Sequence, residues 1–147
     1  MTAMEIALVQ QKLARISEYL RLLKPIAQLS FDEYCAQVYQ RKAAERLLQT
    51  VIEAAIDINN HLLVGSGFPP ADSYHQSFFD LALKVKAIEL SLAEELAPSA
   101  GLRNRLVHEY DQLDDAAVFG SIRRALTSYP RYVQAVQAYL SNLEGYN

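Results

Sequence analysis

The stretch Ile6-Ala-Leu-Val-Gln-Gln-Lys-Leu-Ala-Arg-Ile-Ser-Glu-Tyr-Leu-Arg-Leu-Leu-Lys-Pro25 decides the fold class. Its apolar residues recur at intervals of three and four, at Ile6, Val9, Leu13, Ile16, Leu20 and Leu23. This is the spacing of one face of an α-helix, which turns once in about 3.6 residues. The pattern predicts a first helix that Lys24-Pro25 ends, with one side buried against other helices.

A second helix is predicted between Ser30 and Gly65. The stretch Ser30-Phe31-Asp32-Glu33 has the Ser-x-x-Glu form of a capping box, which marks a helix N-terminus. Behind it a helical stripe continues through Val38, Leu47, Leu48, Val51, Ile52, Ala55, Ile58 and Leu62. The pattern predicts one long helix of roughly thirty residues or more, with room for a bend.

The clearest loop of the chain follows this helix. Two glycines and two prolines fall between Gly65 and Ser73, and such residues interrupt regular structure. A third helix is predicted from Ser73 or Tyr74, where Ser73-x-x-Gln76 repeats the capping form, to about Leu96. The stretch Pro98-Ser-Ala-Gly101 is expected to end it.

Two further elements complete the predicted fold. The fourth covers roughly residues 102–110. The fifth begins at Asp114 or Asp115, whose carboxylates suit a helix N-terminus, and Pro130 is expected to kink or split it. The sequence therefore predicts an all-α fold, a compact up-and-down bundle of four to six helices in one domain spanning residues 1–147.

The composition limits what this bundle can do. The chain has 147 residues, of which 51% are hydrophobic, and this is enough to fill one core. It carries 14 Lys and Arg against 17 Asp and Glu, a formal net charge of −3. Binding of nucleic acid by overall positive charge is therefore excluded, and any contact with phosphates must come from a local basic cluster.

Several classes of site are absent from the sequence. Cys35 is the only cysteine, so no disulfide within the chain and no Cys-x-x-Cys motif can form. His61, His75 and His108 lie in three different elements, and none has a second histidine at helical ligand spacing. We expect neither a metal site nor a cofactor. No signal peptide or membrane-spanning stretch is recognisable, so a cytoplasmic protein is expected.

One segment concentrates groups that can bind or titrate against a phosphate. It reads Gly101-Leu-Arg103-Asn104-Arg105-Leu-Val-His108-Glu-Tyr110. The alternative interpretation is the polar face of an amphipathic helix that happens to be rich in arginine. The spacing argues against it, because Arg, Asn and Tyr at fixed offsets around a given His arise by chance on the order of once in ten thousand.

The pattern Arg103-Asn104-x-x-x-His108-x-Tyr110 resembles the Arg-x4-His-x-Tyr signature of the HEPN superfamily. It is most similar to the HepT-like toxins of toxin-antitoxin pairs of the HepT/MntA type. The resemblance extends to Ala55-Ile-Asp57-Ile-Asn-Asn-His61 and to Ser73-Tyr74, and so spans most of the chain. It implies a helical homodimer, a metal-independent endoribonuclease, and a minimal nucleotidyltransferase as antitoxin, which attaches AMP to the signature tyrosine.

The resemblance also assigns roles to individual residues. Arg103 and His108 correspond to catalytic residues, Asn104 to a supporting polar residue, and Tyr110 to the AMP acceptor. Asp57 corresponds to the polar residue that the family carries on its second helix. Asp57 and His61, four residues apart on one helix, either make a structural contact under the loop at 65–73 or line the cleft, and Arg105 is a further candidate for lining it.

Helix geometry sets a condition on this site. At about 100° per residue, Arg103 and Tyr110 lie nearly on one face, whereas His108 is rotated by roughly 140° from Arg103. Either the helix begins after Arg103, or a second subunit completes the site. Asn104 and His108 are four residues apart, so the amide can contact the imidazole directly and fix its tautomer.

The chemistry of RNA cleavage also favours a site that two subunits complete. A neutral His108 imidazole can take the proton of the ribose 2′-hydroxyl as it attacks the adjacent phosphate, while Arg103 offsets the charge that develops there. One histidine cannot act as base and acid in the same step. A two-fold dimer that places two copies of the motif in one cleft supplies the second imidazole and doubles the local positive charge.

A second function from another class fits the same fold. The chain can be a non-catalytic helical docking or assembly subunit of a nucleotidyltransferase. The presence of Arg103, His108 and Tyr110 together favours the enzyme, because a docking subunit has no need of them. The other basic clusters are either solvated, extend a path for RNA or meet an acidic surface of a partner, and they comprise Arg41, Lys42 and Arg46 and, separately, Arg123, Arg124 and Arg131.

Overall fold

The computed structural model describes residues 1–145, and these residues fold into helices without strands. The α-helices are α1 (Ala3–Ala27), α2 (Phe31–Ala36), α3 (Val38–Gly65), α4 (Tyr74–Asp80), α5 (Leu90–Leu96), α6 (Pro98–His108) and α7 (Asp115–Gly145). A π-helical turn, Leu81–Val85, follows α4, and a 3-10 turn, Tyr110–Gln112, follows α6. The prediction of an all-α fold is confirmed.

The core lies between the three long helices α1, α3 and α7, which contact one another. The six predicted stripe residues of α1 are all buried, at 6% exposure or less. The shorter helix α6 packs on α3, with α4 and α5 beside it. None of the helices in the described part of the chain is long and apolar enough to cross a membrane.

Two prolines lie inside helices: Pro25 does not end α1, and Pro130 does not split α7. Helix α1 continues through Pro25 to Ala27, since Ile26 extends the buried stripe by one more position. Helix α7 continues through Pro130, whose ring is exposed, while Tyr129, Tyr132 and Val133 on either side are buried. A proline costs a helix one hydrogen bond, and the apolar contacts around both positions outweigh this loss.

The predicted second helix is broken at Gln37, which separates α2 from α3. Gln37 has φ −95° and ψ 77°, outside the helical region. The break lets Tyr34 of α2 pack on Phe119 of α7, with ring centroids 4.7 Å apart, while α3 faces α1. Val38, which the pattern placed on the buried stripe, is 51% exposed, because the buried face of α3 begins only at Ala44.

The predicted third helix is also interrupted. After the π-helical turn, Lys86 adopts the left-handed conformation with φ 63°, and the Ala87 N–H bonds to the carbonyl of Leu81. This ends one helical segment before α5 begins at Leu90. Glycine usually occupies such a position, so the sequence carries no signal of the break.

The start of α6 differs from the prediction, whereas the helix caps agree with it. Helix α6 begins at Pro98 rather than near residue 102, because a proline lacks the N–H that the first turn leaves unpaired. Ser30 and Glu33 form the predicted capping box of α2. Ser73 accepts a hydrogen bond from the Gln76 N–H, and so begins α4 directly after the predicted loop.

Candidate active site

Helix α6 presents the residues of the Arg-x4-His segment on three sides. Leu102 and Leu106 are buried, which turns the opposite face, with Asn104 and His108, to solvent. Arg103 lies on one flank of this face. Since the helix begins at Pro98, it does not begin after Arg103. The first of the two alternatives for bringing Arg103 and His108 together is therefore wrong, and a second subunit remains.

Arg103 is held by side chains from two other helices. Its Nε donates to Oε1 of Glu53 on α3 at 3.1 Å, and its guanidinium carbon lies 5.2 Å from the ring centroid of Tyr74 on α4. Its Nη1 also donates to Oδ1 of Asn104 at 3.3 Å. The ion pair and the cation–π contact fix the plane of the guanidinium, and its remaining N–H groups are free of partners among the described residues.

Arg103 forms one wall of a small open groove of about 150 Å³, which is lined by Glu53, Ile56, Asp57, Tyr74 and Arg103. Asp57, more than half exposed, pairs with Nζ of Lys12 on α1 at 3.4 Å. The two carboxylates of the groove thus face two cations. One chain alone offers no excess positive charge here for a phosphate.

His108 lies in the last turn of α6 and is exposed to solvent. Among residues 1–145, no hydrogen bond joins its ring to Asn104, a contact that the four-residue spacing allowed. Asn104 instead accepts from Arg103, because a charged guanidinium is the stronger donor. Nothing within the described chain brings the imidazole of His108 to the guanidinium of Arg103.

Tyr110 lies beyond the end of α6, in the 3-10 turn Tyr110–Gln112. The backbone leaves the helical path at Glu109, with φ −129° and ψ 32°. The prediction that a continuous helix carries Tyr110 on the face of Arg103 is therefore wrong. The side chain of Tyr110 is 66% exposed, so its hydroxyl is accessible to another protein.

A buried chain of hydrogen bonds from α7 through α3 and α4 ends at the backbone carbonyl of Tyr74. The hydroxyl of Tyr132 on α7 donates to Oδ1 of Asn59 on α3 at 2.6 Å, and Nδ2 of Asn59 donates to Oγ of Ser77 on α4 at 3.0 Å. Ser77 in turn donates to the carbonyl of Tyr74 at 2.6 Å. Burial raises the pKa of Tyr132 well above its usual value, so its phenol remains a donor.

Residues 16–136 match the family described as Ribonuclease HepT-like, which is most of the chain. The chain belongs to the HepT-like ribonuclease family. It is 42% identical over 149 residues to the tRNA nuclease HepT of Aphanizomenon flos-aquae, covering 100% of this chain and 99% of that protein. It is 31% identical over 91 residues to the mRNA nuclease HepT of Shewanella oneidensis, covering 62% and 68% of the two chains.

Solved structures share the fold at lower identity. YutE of Bacillus subtilis, a cytosolic protein of unknown function, superimposes with a TM-score of 0.80 at 19% identity, covering 92% of this chain and 90% of YutE. The tri-AMPylated HEPN toxin of Shewanella oneidensis, solved in complex with its MNT antitoxin, gives a TM-score of 0.76 at 24% identity, covering 94% and 99%. The predicted HEPN-like helical fold is confirmed.

The other candidate residues of this HepT-like chain lie apart from Arg103. His61 is exposed on α3, one turn beyond Asp57, and does not line the groove. Arg105 lies on the opposite flank of α6 from Arg103, where it lines two cavities against α7. Over residues 1–145, no group of three or more His, Cys, Asp or Glu side chains is placed to hold a metal ion.

Sequence reasoning missed Glu53, Tyr74 and Asn59 as parts of the site. Glu53 lies one turn before Asp57 on α3, so helical spacing could have placed both carboxylates on one face. Asn59 is fully buried on a face of α3 whose residues three and four positions away are apolar, namely Ala55, Ile56, Leu62 and Leu63, and a polar residue on such a face signals an internal hydrogen bond. Tyr74 offered no signal of its contact with Arg103, because the two residues are distant in sequence.

Proposed function

We propose that this HepT-like chain is the toxin of a toxin-antitoxin pair, an endoribonuclease that acts without a metal ion. The observation that carries the proposal is the guanidinium of Arg103, oriented by Glu53 and Tyr74 with N–H groups left free, on the same short helix as the exposed His108. The relatives from Aphanizomenon and Shewanella, described as tRNA and mRNA nucleases, support RNA as the substrate.

The reaction needs a base, an acid and a group that stabilises charge. The imidazole of His108 takes the proton of the ribose 2′-hydroxyl, whose oxygen attacks the neighbouring phosphorus. The bond from phosphorus to the 5′-oxygen breaks, and this oxygen must receive a proton. The products are a 2′,3′-cyclic phosphate and a 5′-hydroxyl. Arg103 donates hydrogen bonds to the phosphate oxygens, because their negative charge increases in the transition state.

A homodimer supplies the acid and the additional positive charge that one chain lacks. Each chain carries one histidine in the motif, and Arg103 and His108 lie roughly 140° apart around α6. A two-fold axis beside this helix places the His108 of one subunit near the Arg103 of the other and supplies a second imidazole as the acid. Two copies of Arg103 also provide the positive charge that the groove of one chain lacks.

Regulation is proposed to act on Tyr110. A nucleotidyltransferase antitoxin transfers AMP from ATP to the phenol, so that a bond from the tyrosine oxygen to the α-phosphorus forms and pyrophosphate leaves. The exposure of Tyr110 supports this role, as does the description of the Shewanella HEPN toxin as tri-AMPylated in a complex with its antitoxin. The added phosphate places negative charge beside the site for RNA.

The direct test is incubation of the purified chain with total RNA and with tRNA. We expect cleavage by the wild type, and at least a hundredfold loss for Arg103→Ala and for His108→Ala. Circular dichroism should be unchanged for both variants, since neither side chain is buried in the core. Arg15→Ala on α1 is the control, as it removes an exposed arginine elsewhere. If either Arg103→Ala or His108→Ala cleaves RNA at the wild-type rate, the role proposed for that residue is wrong.

A further inference from the structure

A second cavity of this chain, on the other side of α6 from Arg103, has the features of an anion site. It has a volume of about 120 Å³ and lies between α3, α5, α6 and α7. Two of its lining residues are arginines, Arg105 on α6 and Arg124 on α7, and both are exposed at its edge. The inference drawn from it rests on the proposed ribonuclease function.

The two arginines are placed in the same way. Arg105 follows Gly101 by four residues, and Arg124 follows Gly120 by four. The Nη1 atoms lie 3.6 and 3.5 Å from the positions that a Cβ would take on these glycines. One nitrogen of each guanidinium therefore lies beside its glycine, in van der Waals contact with the place where any other residue would carry its Cβ. Nη2 of Arg124 is further held by Oγ of Ser121 at 2.9 Å.

Neither guanidinium forms an ion pair within the described part of the chain. Among residues 1–145, no carboxylate lies within salt-bridge distance of Arg105 or Arg124. Glu95 also lines the cavity, but Arg131 at 2.7 Å and Ser128 at 3.1 Å already bind its carboxylate. Two free cations thus share one small cavity, and a bidentate oxyanion such as a phosphate fits them best.

The size and walls of the cavity limit the ligand further. Sites for cofactors and drug-sized molecules measure roughly 300–1,000 Å³, so this cavity is too small for them. Its inner wall is apolar, formed by Leu48, Ile52 and Leu96, with the hydroxyl of Tyr129 bound to Ser99 at 2.7 Å. A phosphate at the mouth, with part of a single nucleobase against this wall, matches these dimensions.

The position of Arg105 connects the cavity to His108. Arg105 and His108 are three residues apart on α6 and so are neighbours on its surface, about 60° apart around the helix. We propose that Arg105 and Arg124 bind a backbone phosphate of the substrate RNA, next to the nucleotide that His108 acts on. The RNA then crosses the exposed face of α6 and continues to the cavity between α6 and α7 that Arg105 and Arg124 line.

The test measures binding of a short single-stranded RNA whose 2′-hydroxyls are methylated, so that it cannot be cut. Fluorescence anisotropy gives its Kd for the wild type, Arg105→Gln, Arg124→Gln and the double variant at several salt concentrations. Each single variant should bind roughly tenfold more weakly. The slope of log Kd against log salt should fall by about 0.7 for each RNA phosphate that a variant no longer neutralises. The matched control is Arg15→Gln, an exposed arginine on α1, which should bind as the wild type does.

The outcomes separate this inference from the proposed function. Unchanged Kd and salt slope in both arginine variants overturn the phosphate site. A variant that binds RNA normally but no longer binds a nucleotidyltransferase partner also overturns it, because the cavity of Arg105 and Arg124 is then part of a protein interface. If the wild type binds RNA through both arginines but never cleaves it, the phosphate site holds and the nuclease proposal fails.

Discussion

At the scale of single residues, the neighbours of Arg103 determine which of its N–H groups can reach a ligand. Glu53 takes its Nε–H and Tyr74 covers one face of its guanidinium, so only one edge remains for a ligand. The ion pair with Glu53 reduces the net positive charge around Arg103, and in return the orientation of the guanidinium is fixed. Preorganised donors of this kind stabilise a transition state because they need no rearrangement when charge develops.

The role of Glu53 in orienting Arg103 leads to a prediction. Glu53→Ala should lower kcat for RNA cleavage by roughly ten- to a hundredfold, the equivalent of one charged hydrogen bond of about 1.5–3 kcal/mol. KM should stay level or fall, because the guanidinium gains free charge. Glu53→Gln, which keeps an acceptor oxygen, should recover part of kcat.

Steady-state kinetics on a defined RNA distinguish this positioning role from a purely structural one. Glu18→Ala is the matched control, since it removes an exposed carboxylate that pairs with Arg21 on α1. A Glu53→Ala enzyme with wild-type kcat shows that Arg103 needs no such support.

Tyr110 leads to the second prediction at this scale. Tyr110→Phe keeps the ring but removes the acceptor oxygen, so it should gain no AMP from a cognate nucleotidyltransferase with ATP and Mg²⁺. In the wild type, the added charge at ~5 Å from an RNA phosphate costs roughly 3 kcal/mol at an effective dielectric of about 20, and cleavage should fall at least a hundredfold.

Intact-mass spectrometry measures the transfer, and the matched control is Tyr39→Phe, which alters a tyrosine that is 93% exposed on α3. Tyr110 is not the acceptor if the Phe variant gains the same mass as the wild type. It is not a switch if the modified wild type cuts RNA at full rate.

At the scale of helices, apolar spacing predicted the long elements and missed their breaks. The stripes of α1 and α3 could be read directly, because a buried face must repeat every three or four residues. The breaks at Gln37 and Lys86 carry neither glycine nor proline, and they follow from packing between distant segments. Conversely, Pro25 and Pro130 stay inside helices because burial around them outweighs the missing hydrogen bond.

The same limit applies to the site. The motif residues of α6 and Asp57 could be chosen from the sequence, since a short pattern and a family resemblance include them. The contacts of Arg103 with Glu53 and Tyr74 could not, because they join α6 to α3 and α4 across long stretches of chain. The end of α6 at His108 also depends on the local backbone, and it removed Tyr110 from the expected face.

Asn59 on α3 connects this helix to α4 and α7, and its substitution should lower the stability of the fold. Asn59→Ala removes the hydrogen bonds to Tyr132 and Ser77 inside the core, and a hydrogen bond of this kind contributes about 0.5–1.5 kcal/mol. We expect the free energy of unfolding to fall by about 1–3 kcal/mol in urea titrations. Asn142→Ala, at an exposed position of α7, should change it by less than about 0.5 kcal/mol. Equal stability of both variants contradicts the proposed network.

At the scale of the whole molecule, the proposed site is complete only with two chains. If Arg103 of one subunit works with His108 of the other, mixing two inactive variants should restore activity. Heterodimers of Arg103→Ala and His108→Ala chains retain one intact Arg–His pair but only one imidazole, so water must protonate the leaving oxygen. We expect a cleavage rate above that of either homodimeric variant and below half of the wild-type rate.

Differently tagged chains, co-expressed and purified through both tags, provide these heterodimers for the cleavage assay. Each homodimeric variant, purified in the same way, serves as the inactive control. Heterodimers that form but stay inactive place the site within one chain.

The ends left on the RNA show whether this HepT-like chain cuts it through an imidazole and a guanidinium without a metal. A labelled RNA is incubated with the wild type and with His108→Ala in excess EDTA, and the products are identified by mass spectrometry. We expect undiminished cleavage by the wild type, a 2′,3′-cyclic phosphate at the new 3′ end, and no product from His108→Ala. Cleavage that stops in EDTA and returns with Mg²⁺ contradicts this mechanism.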